Sequence, residues 1–541
     1  MSGATGHVDT FAAQRLPPRE RWPELLFSLP QLHYPGRLNC AHRLLDRHVL
    51  EGRGGRRCIV SANETWSYDM LLRQSNRIAR VLTEDLGIVP GNRVLLRAPN
   101  TPMMAACWFA VMKAGAIAVT TMPLYRAAEL RNIIDKAQIR HGLCDVRLDG
   151  ELRSAADGNS AFKTLYFNGG DLEERMKPKA EYFENTDTSA DDVAIIAFTS
   201  GTTGKPKAAM HLHRDILATC DSYGAHVLQA HHDDLFTGSP PIGFTFGLGG
   251  LLLFPLDIGA ATLMLEKAPP EQLLQAIDAF RVNAVFTAPI AYRAMAESAG
   301  THDLSSLRKC VSAGETLPRP VWEAWRRRTG LRILDGIGST EMLHIFVGSP
   351  EDRVRPGCTG QAVPGYVAQI HDDDGRELPR GEVGRLAVKG PTGCKYLDDD
   401  RQRTYVQRGW NYPGDAYRMD EEGYCSYVAR TDDMIISAGY NISGPEVEEA
   451  LLGHGDVKEC AVVAKPDPAH HTNIVKAYVV LAAGSGTAEK SAELQDFVRA
   501  RIAPFKTPRE IEFVAQLPRT ETGKVQRFRL REQAATESDQ N

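Results

Sequence analysis

The sequence predicts an α/β protein: a large N-terminal domain of parallel α/β layers with a β-rich subdomain, then a small α+β C-terminal domain. Three observations carry this. Residues from about 40 to 350 alternate helical and strand patterns, which suits parallel layers. From about 355 to 428 the texture changes to short strands with frequent glycine. A polar break, Ala429-Arg-Thr-Asp-Asp433, then precedes roughly a hundred residues with helix and strand patterns of their own. At 541 residues the chain is too long for one core.

In order, the N-terminus carries Asp9, Arg15, Arg19 and Glu20 before any apolar run, unlike a signal peptide. Residues 1–13 and 534–541 read as disordered ends. Tyr68–Leu86 has helical spacing and 92–97 reads as a strand. Met103–Lys113 is helical, 116–120 a strand, and Arg126–Ala137 helical again. Phe246–Leu265 is the most apolar later stretch. Gly249, Gly250, Pro255 and Asp257 interrupt it, so it reads as a buried strand–turn–strand, not a membrane span. Gly384–Gly390 is a typical short strand of the β-rich part. Beyond the break, Ser443-Gly-Pro-Glu446 is a capping-box helix start. Strands at 459–464 and 477–481 and a helix at 492–502 complete the chain.

The bulk numbers exclude some function classes. Hydrophobic content of 43% and charged content of 24% are ordinary for a globular protein. A net charge of −5 gives no electrostatic case for nucleic acid or an anionic membrane. The ten cysteines form no Cys-x-x-Cys pair, which argues against zinc or a disulfide framework and for a reducing, cytoplasmic location.

The run Thr199-Ser-Gly-Thr-Thr-Gly-Lys-Pro-Lys207 follows a buried apolar strand pattern at 193–198. Gly201 and Gly204 allow close backbone approach. Thr199, Ser200, Thr202, Thr203, Lys205 and Lys207 crowd phosphate donors into nine residues. The spacing is not that of a Walker A loop. His211-Leu-His-Arg-Asp215 has the letters of a kinase catalytic loop, but no Asp-Phe-Gly follows, so it is set aside. His231-His232 and His470-His471 lack metal-site company.

Five further motifs follow in order: Ser312-Ala-Gly-Glu315, Asp335-Gly-Ile-Gly-Ser-Thr-Glu341, Tyr412-Pro-Gly-Asp415, Ala429-Arg-Thr-Asp-Asp433 and Leu517-Pro-Arg-Thr-Glu-Thr-Gly-Lys524. Together the six resemble the adenylate-forming superfamily of acyl-CoA synthetases, peptide-synthetase adenylation domains and luciferases, over about residues 40–532. Gly336–Phe346 looks like the benzoate-CoA ligase branch, and Ser437–Glu448 looks closer to its 2-aminobenzoate (anthranilate) ligases. Two departures are Tyr-Pro-Gly-Asp where Arg/Lys-Thr-Gly-Asp is common, and Ala429 where glycine often precedes the arginine. Neither removes a functional side chain.

The resemblance implies attack of an aromatic carboxylate on the α-phosphate of ATP, then transfer of the acyl group to coenzyme A. It implies an N-terminal domain at 1–431, a mobile C-terminal domain at 432–541 and a hinge at Asp432. Residues 199–205 and Lys207 would hold phosphates. Lys524, Thr340 and Glu341 would be catalytic, with Glu341 a ligand to Mg²⁺. Asp415 and Arg430 would take the ribose, and Gly314, Glu315, Asp335 and Gly336 would complete the nucleotide site. Phe244, Phe246, Ala313, Gly338 and His344 would line an aryl pocket, with His344 equally readable as a core histidine. Ala438, Gly439 and Tyr440 would face the pantetheine arm. The expected partners are the aromatic acid, ATP and CoA, with no nucleic acid or membrane; a homodimer is compatible with this reading. Loading of a carrier-protein thiol, or a catalytically silent nucleotide-binding scaffold, stay open as alternatives.

Overall fold

The apolar run before the glycine-rich loop forms the buried strand Val193–Thr199. It belongs to a six-stranded sheet whose order is Lys163–Phe167, His141–Asp145, Arg93–Arg97, Ile117–Thr121, Val193–Thr199 and Lys207–Leu212. All neighbours are parallel except the last pair, a hairpin in which Thr199 faces Lys207. This computed structural model describes residues 4–199, 206–430, 433–437, 440–467, 472–502, 504–520 and 524–540. Ser200–Lys205 therefore lie outside the described residues, as do Asp432, Ala438 and Gly439.

A second, nine-stranded sheet has six parallel strands in its centre and antiparallel pairs at its edges. The helix Pro102–Lys113 is apolar on every side and almost wholly buried, as a helix in the middle of a layered core should be. Between Val367 and Arg430 the chain forms a six-stranded antiparallel sheet, where frequent glycines predicted short strands. After it come a short hairpin, Ile435–Ser437 with Tyr440–Ile442, and a three-stranded sheet covered by helices Gly444–Leu452, Ala488–Arg499 and Arg527–Gln540. Among the described residues no helix is long and apolar enough to cross a membrane.

Three sequence expectations are corrected. Phe246–Leu265 is not strand–turn–strand: it is helical from Thr245 to Asp257, with a wide π-type stretch at Gly249–Leu253, and only Ala261–Leu263 is a strand. The glycines there are packing positions. A Cβ on Gly249 would lie 2.3 Å from His344 Cδ2, and one on Gly250 would lie 2.5 Å from Phe286 Cδ1. Pro255 fits because the widened turn shifts the carbonyl its ring would strike in a regular helix. The ends are also more ordered than expected. Phe11 and Ala12 are buried and the last helix runs to Gln540 with Ala534 in the core. Finally, the helix read at 492–502 starts four residues earlier, because Thr487 caps it by accepting from the Lys490 N–H.

Candidate active site

Parallel strands deliver the chain to one edge of the layers, and open α/β sheets place ligands beyond the carboxyl ends of their strands. Lys309–Ser312 ends at Ala313-Gly314-Glu315, and Ile333–Gly338 ends at Ser339-Thr340-Glu341. Gly314 has φ of +93°, which a residue with a side chain would resist. Gly338 has another reason to be glycine: a Cβ there would come within 2.7 Å of the His344 carbonyl.

The turn that carries Thr340 and Glu341 is held from three sides. Ser339 caps it through the Met342 N–H and pairs with the Tyr405 hydroxyl at 2.9 Å. His211 Nε2 lies 2.8 Å from the Thr340 carbonyl. A carbonyl only accepts, so Nε2 carries the proton and donates. Burial pushes the His211 pKa down to about 4, which keeps the ring neutral. The Tyr396 hydroxyl donates to Glu341 Oε1 at 2.5 Å. The other carboxylate oxygen makes no hydrogen bond among the described residues. Tyr396 is fixed in turn by the fully buried Lys395–Asp215 pair, 2.9 Å, and by the Met210 N–H bonded to the Lys395 carbonyl. Lys207 Nζ lies 5.5 Å from the Tyr396 ring centroid, which brings the end of the phosphate-loop motif to the same place.

Asp415 and Arg430 face each other across antiparallel strands, 3.3 Å apart, and Arg430 also donates to the Pro413 carbonyl. Gly414 makes this contact feasible, since a Cβ would sit 2.7 Å from the guanidinium.

Lys524 reaches in from the C-terminal region. Its Nζ is 5.9 Å from the Phe244 ring centroid, and its Cε passes 3.9 Å from where a Gly314 Cβ would stand. Lys524 remains partly open to solvent, and the protein packed near its ammonium lowers its pKa; Glu315 and Asp415 oppose that shift, Arg430 adds to it, and Glu341 opposes it. Residues spread over two hundred positions thus act on one ammonium. Glu315 faces Arg519 at 3.8 Å, so its carboxylate reaches toward the C-terminal segment; burial raises its pKa, and Arg519, Lys524 and Arg527 draw it back down.

Behind Phe244 lies a cluster of packed aromatic rings. His344 is buried among Phe246, Tyr223 and Phe254, with centroids 5.8, 5.4 and 4.6 Å away. Among the described residues neither ring nitrogen makes a well-formed hydrogen bond; burial pushes its pKa down to about 3, with the Phe246 backbone opposing that shift. Among the described residues the Tyr223 hydroxyl and Asp335 Oδ1 are also buried without partners. Burial pushes the Asp335 carboxyl up to about 8. Of the two residues expected at the nucleotide from this strand, Asp335 turns its carboxyl toward Tyr223, and Gly336 packs on Ile345. Leu343, just before His344, has φ of +71° and ψ of −42°, a rare strained turn geometry. Ala313 is buried in the same cluster.

Sequence reasoning missed Tyr396, Tyr405 and Tyr223, which no motif spacing marks. His211 carried a signal: it stands in the strand that leaves the phosphate loop. Tyr440 lies in the described hairpin, but its side chain is outside the described residues.

Comparison with known proteins finds one family over most of the chain. Residues 45–395 match the AMP-binding enzyme family and residues 446–524 its C-terminal domain. A benzoate–CoA ligase of Thauera aromatica is 33% identical over 513 residues, covering 93% of this chain and 97% of that protein. A crystal structure of an anthranilate CoA ligase, AuaEII, with anthranoyl-AMP superposes with a TM-score of 0.90 at 30% identity, covering 94% of this chain and 100% of that one. A benzoate CoA ligase from Burkholderia xenovorans gives 0.84 at 30% identity, covering 91% and 100%. Sequence match and fold agree: the chain belongs to the AMP-binding enzyme family and has the adenylate-forming fold.

Proposed function

We propose that this protein is an ATP-dependent aryl-CoA ligase that activates 2-aminobenzoate and benzoate. The observation that carries the reading is Lys524 beside Phe244, at the edge of an aromatic cluster, with Glu341, Asp415 and Arg430 acting on the same ammonium. A carboxylate is a poor acyl donor because oxide would have to leave. In the first step one carboxylate oxygen bonds to the α-phosphorus of ATP and the bond to the bridging oxygen breaks, releasing pyrophosphate. Lys524 donates to the carboxylate and α-phosphate oxygens as charge moves between them, and Thr340 donates to the α-phosphate. In the second step the CoA thiol, losing its proton, bonds to the acyl carbon and AMP leaves with the bond electrons.

The donor set at Glu341 suits Mg²⁺: one carboxylate oxygen is tied to Tyr396 and the other is available, and this ion takes one or two carboxylates plus substrate phosphates. Bound there, it would neutralise charge on the phosphates. Asp415 and Arg430 would hold the ribose, residues 199–205 and Lys207 the β- and γ-phosphates, and Gly314 with Glu315 the adenine edge. Lys524 occupies the approach to the acyl carbon, so the second step requires it to leave. We place the domain boundary at 431/432, with Asp432 as hinge and Ala438, Gly439 and Tyr440 on the pantetheine path.

Support for an arene comes from this cluster. Flat rings make it up, and Gly338 and Gly249 let the backbone approach it. The polar atoms of His344 and Tyr223 offer partners for a ring amino group, which would favour 2-aminobenzoate. The relatives named benzoate and anthranilate CoA ligases support the same class. Pyrophosphate release with benzoate, 2-aminobenzoate, salicylate, cinnamate and fatty acids tests it, with CoA or a holo-carrier protein as acceptor. A fatty acid outrunning both arenes refutes the aryl reading; a carrier outrunning CoA refutes the acceptor.

A further inference from the structure

Beyond His344 the aromatic cluster meets Phe254. From Lys524 inward come Phe244, Phe246, His344 and then Phe254, whose ring meets His344 edge-on at 4.6 Å. Phe254 is 2% exposed and also packs against Tyr223 and Phe286. On its other side is a separate cleft of about 40 Å³, lined by Cys220, Gly224, Leu228, Ala230 and Ile258, with exposed Ala225 at its rim. Phe254 is the wall that this cleft and His344 share. The cleft is apolar apart from Asp257, and that carboxylate is already engaged by Arg43 at 2.7 Å. The two sides approach closely: a Cβ on Gly224, at the edge of the cleft, would stand 3.4 Å from Phe254 Cδ1.

We propose that Phe254 is the end-stop of the acyl pocket, a specificity-determining residue that confines the acid to one unextended ring. Removing its ring would join the pocket to the apolar cleft and admit arenes carrying an alkyl chain opposite the carboxylate. This rests on the aryl-pocket reading above. The para position is the natural probe, because it lies furthest from the carboxylate that Lys524 holds at the mouth.

The test compares wild type, Phe254→Leu and Phe254→Ala in pyrophosphate release with benzoate and with para-butylbenzoate. The quantity read is the ratio of kcat/KM for the butyl acid to that for benzoate, which does not depend on the fraction of enzyme folded. The leucine variant retains apolar bulk should the alanine variant not fold. The ratio is expected to rise by at least about tenfold, the scale at which a hydrophobic pocket discriminates a methylene or more. A ratio unchanged in the leucine variant, or a wild type that already uses both acids equally, overturns the end-stop. A wild type that activates no benzoate at all, but does activate another acid, overturns the aryl reading itself and the end-stop with it.

Discussion

Asp335 offers a test of the pocket that does not depend on substrate. The residue is half-buried, with Oδ1 itself buried and unpartnered among the described residues; burial lifts its pKa from 3.8 to about 8, against a hydrogen bond from the Gly336 N–H. A raised carboxyl pKa has a definite sign in stability. Below about pH 4 the group is protonated folded and unfolded, and costs nothing. As pH rises from there to about 8 the unfolded chain ionises and the folded one does not, so stability is lost throughout that window and levels off above it. A rise of this size corresponds to about 5 kcal/mol at most by pH 8. Asp335→Asn keeps the shape and removes the ionisation. Unfolding entropy of about 2.1 cal/mol/K per residue converts the difference to about 2–5 °C in Tm for a chain of this size.

The assay is thermal unfolding of wild type and Asp335→Asn at half-unit steps from about pH 5 to 9. Subtracting the two curves cancels every titrating group except those that feel Asp335, chiefly Tyr223 and Tyr417. The variant is expected to gain steadily on wild type as pH rises, and the gain should flatten near pH 8. A difference that does not change with pH, or one that favours wild type at alkaline pH, would show that Asp335 is an ordinary ionised carboxylate and that the pocket is not dry there.

Three further outcomes are expected. Lys524→Ala should cut adenylation by at least about a hundredfold, the scale of losing a preorganised charge donor, while thioester formation from supplied aryl-AMP is largely kept; equal loss in both half-reactions would contradict the separate roles. Tyr396→Phe removes the hydrogen bond to Glu341, and bonds to charged groups are worth about 1.5–3 kcal/mol, so pyrophosphate exchange should fall about 10–100-fold at limiting Mg²⁺ and less at saturating Mg²⁺. His211→Gln keeps a donor near the Thr340 carbonyl and should retain far more adenylation than His211→Leu, which leaves that carbonyl unpaired; equal loss in both, read against their Tm values, would reduce His211 to packing.

The sequence made some parts of this molecule legible and hid others for physical reasons. Where the proposed function needs a chemical group at a fixed point on the chain, as at Lys524, Glu341, Asp415 and Arg430, short motifs mark it, and the fold brings the last three to act on the Lys524 ammonium. Where function needs a surface, local spacing is silent. Tyr396 and Tyr405 support the Thr340–Glu341 turn from some sixty residues away, and backbone pairing of Ala208–Met210 with Lys395–Leu397 brings Tyr396 in. Strand and helix patterns in the first α/β layers were readable because each element is amphipathic or wholly buried. Helix 488–499 was misplaced because its start is set by one threonine side chain, not by periodicity.

The largest misreading falls on the pocket wall, and the reason is structural. Two π-type stretches, Cys220–Leu228 and Gly249–Leu253, contribute Tyr223, Gly224, Gly249 and Gly250 to the region around His344. A widened turn moves side chains off the 3.6-residue period, so a periodicity search finds no helix there. It also lets glycines and a proline sit inside a helix where they would ordinarily end it. The glycines that read as turn punctuation at 249 and 250 are those that let the helix approach His344 and Phe286 closely, around the site proposed for a flat ring. Strain at Leu343, next to His344, and the raised carboxyl of Asp335, which acts on Tyr223, border one aromatic cluster. Local departures from good folding chemistry concentrate there because the proposed site must stay open and polar enough to choose a substrate, and the packing of Phe246, Phe254 and Phe286 around it offsets their cost.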